Sequence, residues 1–425
     1  MIRFWSTLHG PEATIDTAIL EGISPDGSLY IPTALPQIDW QAFSHYNTTH
    51  EFAYHLLNPF FQASQIDFNR ASCKQIFNIP MPLFPLGQNQ YFLELFHGPT
   101  LSFKDFGARF FGACLDQLSK DRETTVLVAT SGDTGSAVAA GCSNHLNIKA
   151  VILFPYDQIT PRQRAQMTTW GKSITALAVK GTFDDCQRLV KSALADKKLH
   201  KQTHLTTANS INIARLLPQM LFYAFTSCQL KQKHHKDINF IVPSGNLGNV
   251  TDCYWAKQMG FPIGTIWIAT NENKVICNYL ETGHYKPKPS IQTLASAMDV
   301  GNPSNLERLQ ALFGDFHNIK HHMNAASTSN TQIELAIKHC YTHYHHLICP
   351  HTAAAYHRLE PPLKSNAVWV AVATAHPAKF ERIIEPLLNV KIPLPQSLKT
   401  ILARQESYTT IEPQLSELSK VLASI

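Results

Sequence analysis

The chain has 425 residues, 44% apolar and 16% charged, enough for roughly two or three domains of ~150 residues, and its composition excludes intrinsic disorder. Its 36 basic and 31 acidic residues leave a formal charge of +5, and with no continuous Lys/Arg run, nucleic acid and membrane surfaces are excluded as partners. Nine cysteines, odd in number and never spaced C-x-x-C, argue against a disulfide framework, a zinc knuckle or an iron–sulfur cluster, and for reduced thiols in a cytoplasm.

The opening stretch MIRFWSTLHGPEATIDTA lacks the basic-then-apolar pattern of a leader, and no segment approaches the ~18 apolar residues of a membrane span. Residues 1–90 mix short helical stretches with turn signals such as Ser24-Pro25-Asp26-Gly27. They pass through a Pro-rich joint, Asn78-Ile79-Pro80-Met81-Pro82, which predicts a small N-terminal domain. Beyond it, apolar runs alternate with helical stretches: Val126–Ala129, Ala150–Phe154, Ile174–Val179, Ile238–Val242, Ile266–Ala269 and Val368–Val372. Continuous rather than alternating apolar runs are the pattern of strands buried on both faces of a parallel sheet, so the class is α/β. The histidine clusters His234-His235, His321-His322 and His343-Tyr344-His345-His346 have no carboxylate or thiolate companion at metal-binding spacing. They read as solvated helix faces, and no metal is expected. From about residue 395 the chain reads as helical with alternating charge and is expected to pack on the larger domain.

Two loops share one design. Thr130-Ser131-Gly132-Asp133-Thr134-Gly135-Ser136 follows the run Val126–Ala129, and Pro243-Ser244-Gly245-Asn246-Leu247-Gly248-Asn249 follows Ile238–Val242. Each places glycines and small polar residues between the end of a strand and the start of a helix, where free backbone N–H groups and the helix dipole make an anion cradle. Neither is G-x-G-x-x-G or a P-loop. Upstream, Lys104 lies between Phe103 and Phe106, a setting that desolvates an ammonium and favours the reactive free amine. A snorkelling lysine and tightly packed turns would account for each feature singly. Together, one amine and one phosphate-sized cradle are the minimal equipment for pyridoxal phosphate.

With these residues the chain resembles the threonine synthase family essentially end to end. The likeness is carried by Glu94–Phe110, containing His97-Gly98-Pro99-Thr100, Thr130–Gly135, Ala208–Arg215, Val242–Gly248, Ser296–Val300, Pro350–Tyr356 and Ala373–Phe380. The resemblance implies pyridoxal-phosphate fold type II, similar to tryptophan synthase β. It comprises two α/β domains with the cofactor in their cleft and an added N-terminal domain at 1–90. The larger domain would be 91–120 with 235–425, the smaller 121–234.

The resemblance also implies a carbon–oxygen lyase that converts O-phospho-L-homoserine and water to L-threonine and phosphate. Lys104 would bond the cofactor and act in catalysis. Gly245, Asn246, Leu247, Gly248 and Asn249 would hold its phosphate, Thr374 its pyridine nitrogen, and Asp133 would lie near its phenolic oxygen. Ser131, Gly132, Thr134 and Gly135 would receive the substrate carboxylate. The leaving phosphate requires charge-assisted donors, and the candidates are Ser210, Asn212, Arg215 and Arg162, with Thr100 and Ser102 in reserve. His351 and His376 read equally as structural or catalytic. A serine/threonine dehydratase on the same fold, or a metabolite-binding module, is the competing reading; the first needs no second phosphate site, and the second has no need of Lys104.

Overall fold

The computed structural model describes residues 1–171, 173–359 and 366–425. Two sheets dominate it. The larger has six strands in the spatial order Asn324–Ser327, Ile263–Thr270, Ile238–Pro243, Val368–Ala373, Gln90–Glu94 and Leu83–Pro85, parallel throughout except at the last, antiparallel edge. The smaller has five parallel strands in the order Thr409–Ile411, Ile174–Val179, Ile148–Pro155, Thr124–Ala129 and Leu205–Thr207. Every residue of Thr124–Ala129, Ile238–Pro243 and Val368–Ala373 is buried, which is why the runs Val126–Ala129, Phe240–Val242 and Val368–Ala373 are apolar without alternation. The α/β class is thus as the apolar runs indicate.

Two features depart from the sequence reading. The larger sheet begins at Leu83–Pro85, within rather than after the stretch 1–90, because a tight turn joined by Leu86 N–H to Gln90 C=O (2.8 Å) folds that strand back on Gln90–Glu94. The C-terminal stretch does not stay on the larger domain. Helix Gln396–Leu402 buries Leu398 in the larger core, but the chain then crosses over. Thr409–Ile411 closes the open edge at Ile174–Val179, and Leu418 and Leu422 enter the smaller core. A three-residue strand carries too little pattern to be read, whereas an uncovered sheet edge is a physical demand that only the assembled sheet makes visible.

The N-terminal segment pairs Phe4–Ser6 with Tyr30–Pro32 and docks by aromatic contacts. Phe52 meets Phe225 and Phe61 meets Phe110, with centroids 5.3 and 5.8 Å apart. Among the described residues no helix is long and apolar enough to cross a membrane, and no group of His, Cys, Asp and Glu could hold a metal ion.

Helix Lys104–Leu118, which follows a larger-sheet strand, lies against helix Asp133–Cys142 of the smaller sheet. Gly141 makes that approach possible: a Cβ there would stand 2.7 Å from the Ala108 carbonyl oxygen. Since the obstacle is backbone, Gly141→Ala is expected to cost about 1–3 kcal/mol, read as a lower urea midpoint at unchanged slope.

Candidate active site

A cleft opens at the carboxyl ends of both sheets, where Ala129, Pro243 and Thr374 follow or end buried strands; Lys104, Asp133, Ser210, Arg215, Gly245, Asn249 and His351 also line it. Ligands of open α/β sheets bind at such ends because the loops and helix N-termini there present unpaired donors.

Lys104 is the first residue of its helix, with its ammonium 5.0 Å from the Phe103 ring centroid. Burial pushes its pKa below the ordinary lysine range; Asp133 opposes that shift, and Lys379 and Arg215 reinforce it. Its Nζ lies 3.8 Å from Asp133 Oδ2. The other carboxylate oxygen, Oδ1, accepts from Lys379 Nζ at 2.8 Å and from Gln163 Nε2 at 3.2 Å. Burial alone would raise the Asp133 pKa, but Lys379 and Lys104 overcome it and hold the carboxyl well below the usual range.

The loop Gly245–Asn249 is shaped by two constraints. A Cβ on Gly245 would sit 2.7 Å from the Met298 Cα, so only glycine fits. Leu247 takes φ 61° in the left-handed region while its side chain is buried in the core, a strained choice repaid by packing. Asn246 is spent on its own loop: Nδ2 donates to Ser210 Oγ (2.7 Å) and Oδ1 accepts from Ser304 N–H (2.6 Å).

Beside this loop, three buried polar atoms lack partners: Asn249 Nδ2, Arg215 Nε and Gln219 Oε1, all on residues lining the cleft. Arg215 is 3% exposed with no carboxylate in contact among the described residues, and burial lowers its pKa to about 10. Uncompensated buried donors of this kind are costly unless an anion completes them. A phosphorylated pyridoxal fits this site: the Lys104 amine, the Gly245–Asn249 cradle and the orphaned Asn249 Nδ2 are its complements.

The second cradle is narrower than the sequence suggests. Thr130 Oγ1 accepts from Gly132 N–H and Gly135 N–H, both at 2.9 Å. Those amides are spent, and neither glycine lines the cleft; Ser131, Asp133 and Thr134 do. Gly132, at φ 131° and with Gln163 2.7 Å from where a Cβ would be, serves the turn.

Of the phosphate candidates, Ser210 and Arg215 reach the cleft, and four do not. Asn212 caps the helix Ile213–Leu216 through Ala214 N–H (3.0 Å) and donates to Ile19 and Thr207 carbonyls (2.9 and 3.0 Å). Arg162 turns away to the Ala378 carbonyl (2.5 Å) and Glu381 (3.5 Å). Thr100 is bound through its hydroxyl and N–H to Asp105 (2.5 and 2.9 Å), and Ser102 is fully buried outside the cleft. Asn212 stands at the helix start, where capping claims its side chain.

The sequence reading missed Lys379, although it lies in the Ala373–Phe380 segment. The one signal was a lysine among small apolar residues that lead out of a buried strand. Gln219 and Asp299 were missed as well. Asp299, at the rim, accepts from Asn271 Nδ2 and Thr293 Oγ1, both at 2.7 Å, and burial raises its pKa to about 6.

His351 Nε2 accepts from Ala297 N–H at 3.0 Å. Burial, opposed by Asp133 and aided by Lys104 and Lys379, pushes its pKa down to about 4. The ring is therefore neutral at pH 7. Between about pH 6.5 and 4 the unfolded chain takes up a proton there that the folded one refuses, so stability falls as pH falls through this window. His351→Asn is expected to flatten that part of the unfolding free energy against pH, read by urea titration, by up to about 3 kcal/mol. Asn212→Ala is expected to lower stability by about 1 kcal/mol or more with the substrate KM unchanged, whereas a ligand-binding Asn212 would raise KM.

Three family models match the chain: Pyridoxal-phosphate dependent enzyme over residues 78–375, Threonine synthase N terminus over 3–76 and Threonine synthase, C-terminal, over 352–422. Threonine synthase of Haemophilus influenzae is 37% identical, covering 91% of each chain. The crystal structure of threonine synthase from Escherichia coli superposes with a TM-score of 0.92 at 31% identity over 99% of each chain. The pyridoxal-phosphate-bound threonine synthase from Brucella melitensis gives a TM-score of 0.91 at 29% identity, over 100% of this chain and 99% of that one. The fold is pyridoxal-phosphate type II, the cofactor is pyridoxal phosphate, and the chain belongs to the threonine synthase family.

Proposed function

We propose that the chain converts O-phospho-L-homoserine and water to L-threonine and inorganic phosphate. The observation that carries the reading is one cleft holding a desolvated amine, Lys104, and a buried guanidinium, Arg215, that bonds the Ala208 carbonyl but has no carboxylate partner among the described residues. A reaction that moves protons on a carbon chain and expels phosphate from its end needs both. Dehydration of serine or threonine needs only the first.

Bound pyridoxal phosphate supplies an electron sink for the substrate α-carbon. The residues that would hold it are Lys104 for its aldehyde, the backbone of Gly245–Asn249 with the Asn249 amide for its phosphate, and Thr374 for its ring nitrogen. Lys104 then removes the proton at Cα and moves protons at Cβ and Cγ, a role its depressed basicity suits because burial favours the free amine. Arg215 with Ser210 receives the phosphate as it leaves Cγ, where a desolvated cation is worth more than in water. Ser131 and Thr134, at the start of helix Asp133–Cys142, receive the α-carboxylate. Water for Cβ enters from the open rim, past Asp299 and Phe183. All nine cysteines are free, in keeping with a reducing, cytoplasmic setting.

The test follows the visible spectrum and released phosphate together as O-phospho-L-homoserine is added. The wild type is expected to be yellow and to form threonine and phosphate in equal amounts. Lys104→Ala is expected to lack the band and to lose roughly 10³-fold or more in kcat. A yellow protein that dehydrates serine but releases no phosphate would establish the dehydratase instead.

A further inference from the structure

Lys379 has no part in the chemistry above, yet it is the most deeply buried cation of the site. Its side chain is 0% exposed, and its ammonium donates to Asp133 Oδ1 and to the Thr100 carbonyl, each at 2.8 Å. It is carried in the turn Pro377–Phe380, just past the central strand Val368–Ala373 of the larger sheet, whereas Asp133 opens a helix of the smaller one. The carboxylate thus lies between two lysines from elsewhere in the fold, at 2.8 Å from Lys379 and 3.8 Å from Lys104.

That asymmetry has a chemical consequence. An ionised Asp133 with Lys104 as its only cation would hold Lys104 as an ammonium, and an ammonium takes no proton from a carbon acid. With Lys379 in direct contact, the pair Asp133–Lys379 is nearly neutral as a unit, and Lys104 faces a short dipole in place of a bare charge. The remaining groups around Lys104 do not alter the sign. Arg215 also disfavours its charged form, Cys349 favours it weakly, and the neutral His351 ring lies on the same cleft. Asp105, which faces Lys379, is bound by the Thr100 hydroxyl and N–H.

We propose that Lys379 is a positioning residue for Lys104, acting through Asp133: it claims the carboxylate's charge and leaves the Lys104 amine, across the same carboxylate, free to accept a proton from substrate. The contact also ties the loop before Lys104 to both sheets, since Thr100 C=O accepts from Lys379 and, at 3.1 Å, from Gln166 Nε2 of the smaller one. The inference rests on the functional reading only in taking Lys104 as the proton acceptor.

The test compares wild type, Lys379→Met, which keeps the buried volume without the charge, and the double variant Asp133→Asn/Lys379→Met, which removes both charges. Two readouts are taken across pH: kcat of the holoenzyme, and the rate at which the visible band forms when pyridoxal phosphate is added to cofactor-free protein, a step that needs the Lys104 free amine. In Lys379→Met both are expected to fall about tenfold or more near pH 7 and to recover near pH 9, the acid limb moving up by about one pH unit. The double variant is expected to return the limb to within a few tenths of wild type. Losses by the same factor at every pH, with no recovery in the double variant, would mean that Lys379 only supports the fold and would overturn the proposal. A wild type that forms the band but releases no phosphate overturns the functional reading alone, and the band-formation arm then decides this one.

Discussion

The constraint on which the site depends is the burial of Asp133 between two cations. A carboxylate only 3% exposed is stable there because Lys379 and Gln163 bond one oxygen and Lys104 faces the other. The three charges come from three parts of the chain: the start of the helix after Gln90–Glu94, the start of the helix after Thr124–Ala129, and the turn after Val368–Ala373. Both sheets must therefore form, and meet at their carboxyl ends, before any of these charges can be buried at low cost. Charge placement and domain arrangement are one requirement.

Around that centre the polar groups divide into those that hold the cleft's shape and those left open to a ligand. Thr130, Asn246 and Asn212 spend their hydrogen bonds on backbone and neighbouring side chains, and so rigidify the two loops. Arg308 does the same on a larger scale. Fully buried, it donates to the carbonyls of Tyr30, Ser210 and Ile211, which fastens the N-terminal segment to the wall of the site. Arg215 and Asn249, which line the cleft, each keep a buried donor with no partner among the described residues. A fold tolerates such orphans where a bound anion completes them, and the cost they impose on the empty protein is recovered in binding.

Much of this was legible in the sequence, for identifiable reasons. The strands Val126–Ala129 and Val368–Val372 announce themselves because burial on both faces leaves no room for polar alternation. Lys104 and the Gly245–Asn249 loop are visible because their chemistry is local: a desolvated amine and a glycine-rich turn are each written in a few adjacent residues. Gly132, Gly135 and Asn212 misled because residue type shows that a donor exists but not where it is used. Their partners Thr130, Ile19 and Thr207 are revealed only in the folded chain. Arg162 is a like case, its guanidinium drawn to the Ala378 carbonyl and Glu381.

The sequence by itself determined the α/β class, the order of its buried strands, the cofactor and the family, because each rests on short-range patterns of apolar burial, turn chemistry and motif. Tertiary structure alone decided the partner of Asp133, the crossing of Thr409–Ile411 to the smaller sheet, and which candidate donors face the cleft. The physical reason is range. Hydrophobic periodicity and backbone preference act over a few residues and leave a local record. An ion pair between Asp133 and Lys379, or the closing of an open strand edge, is a contact between distant segments, and its energy exists only once the fold has brought them together.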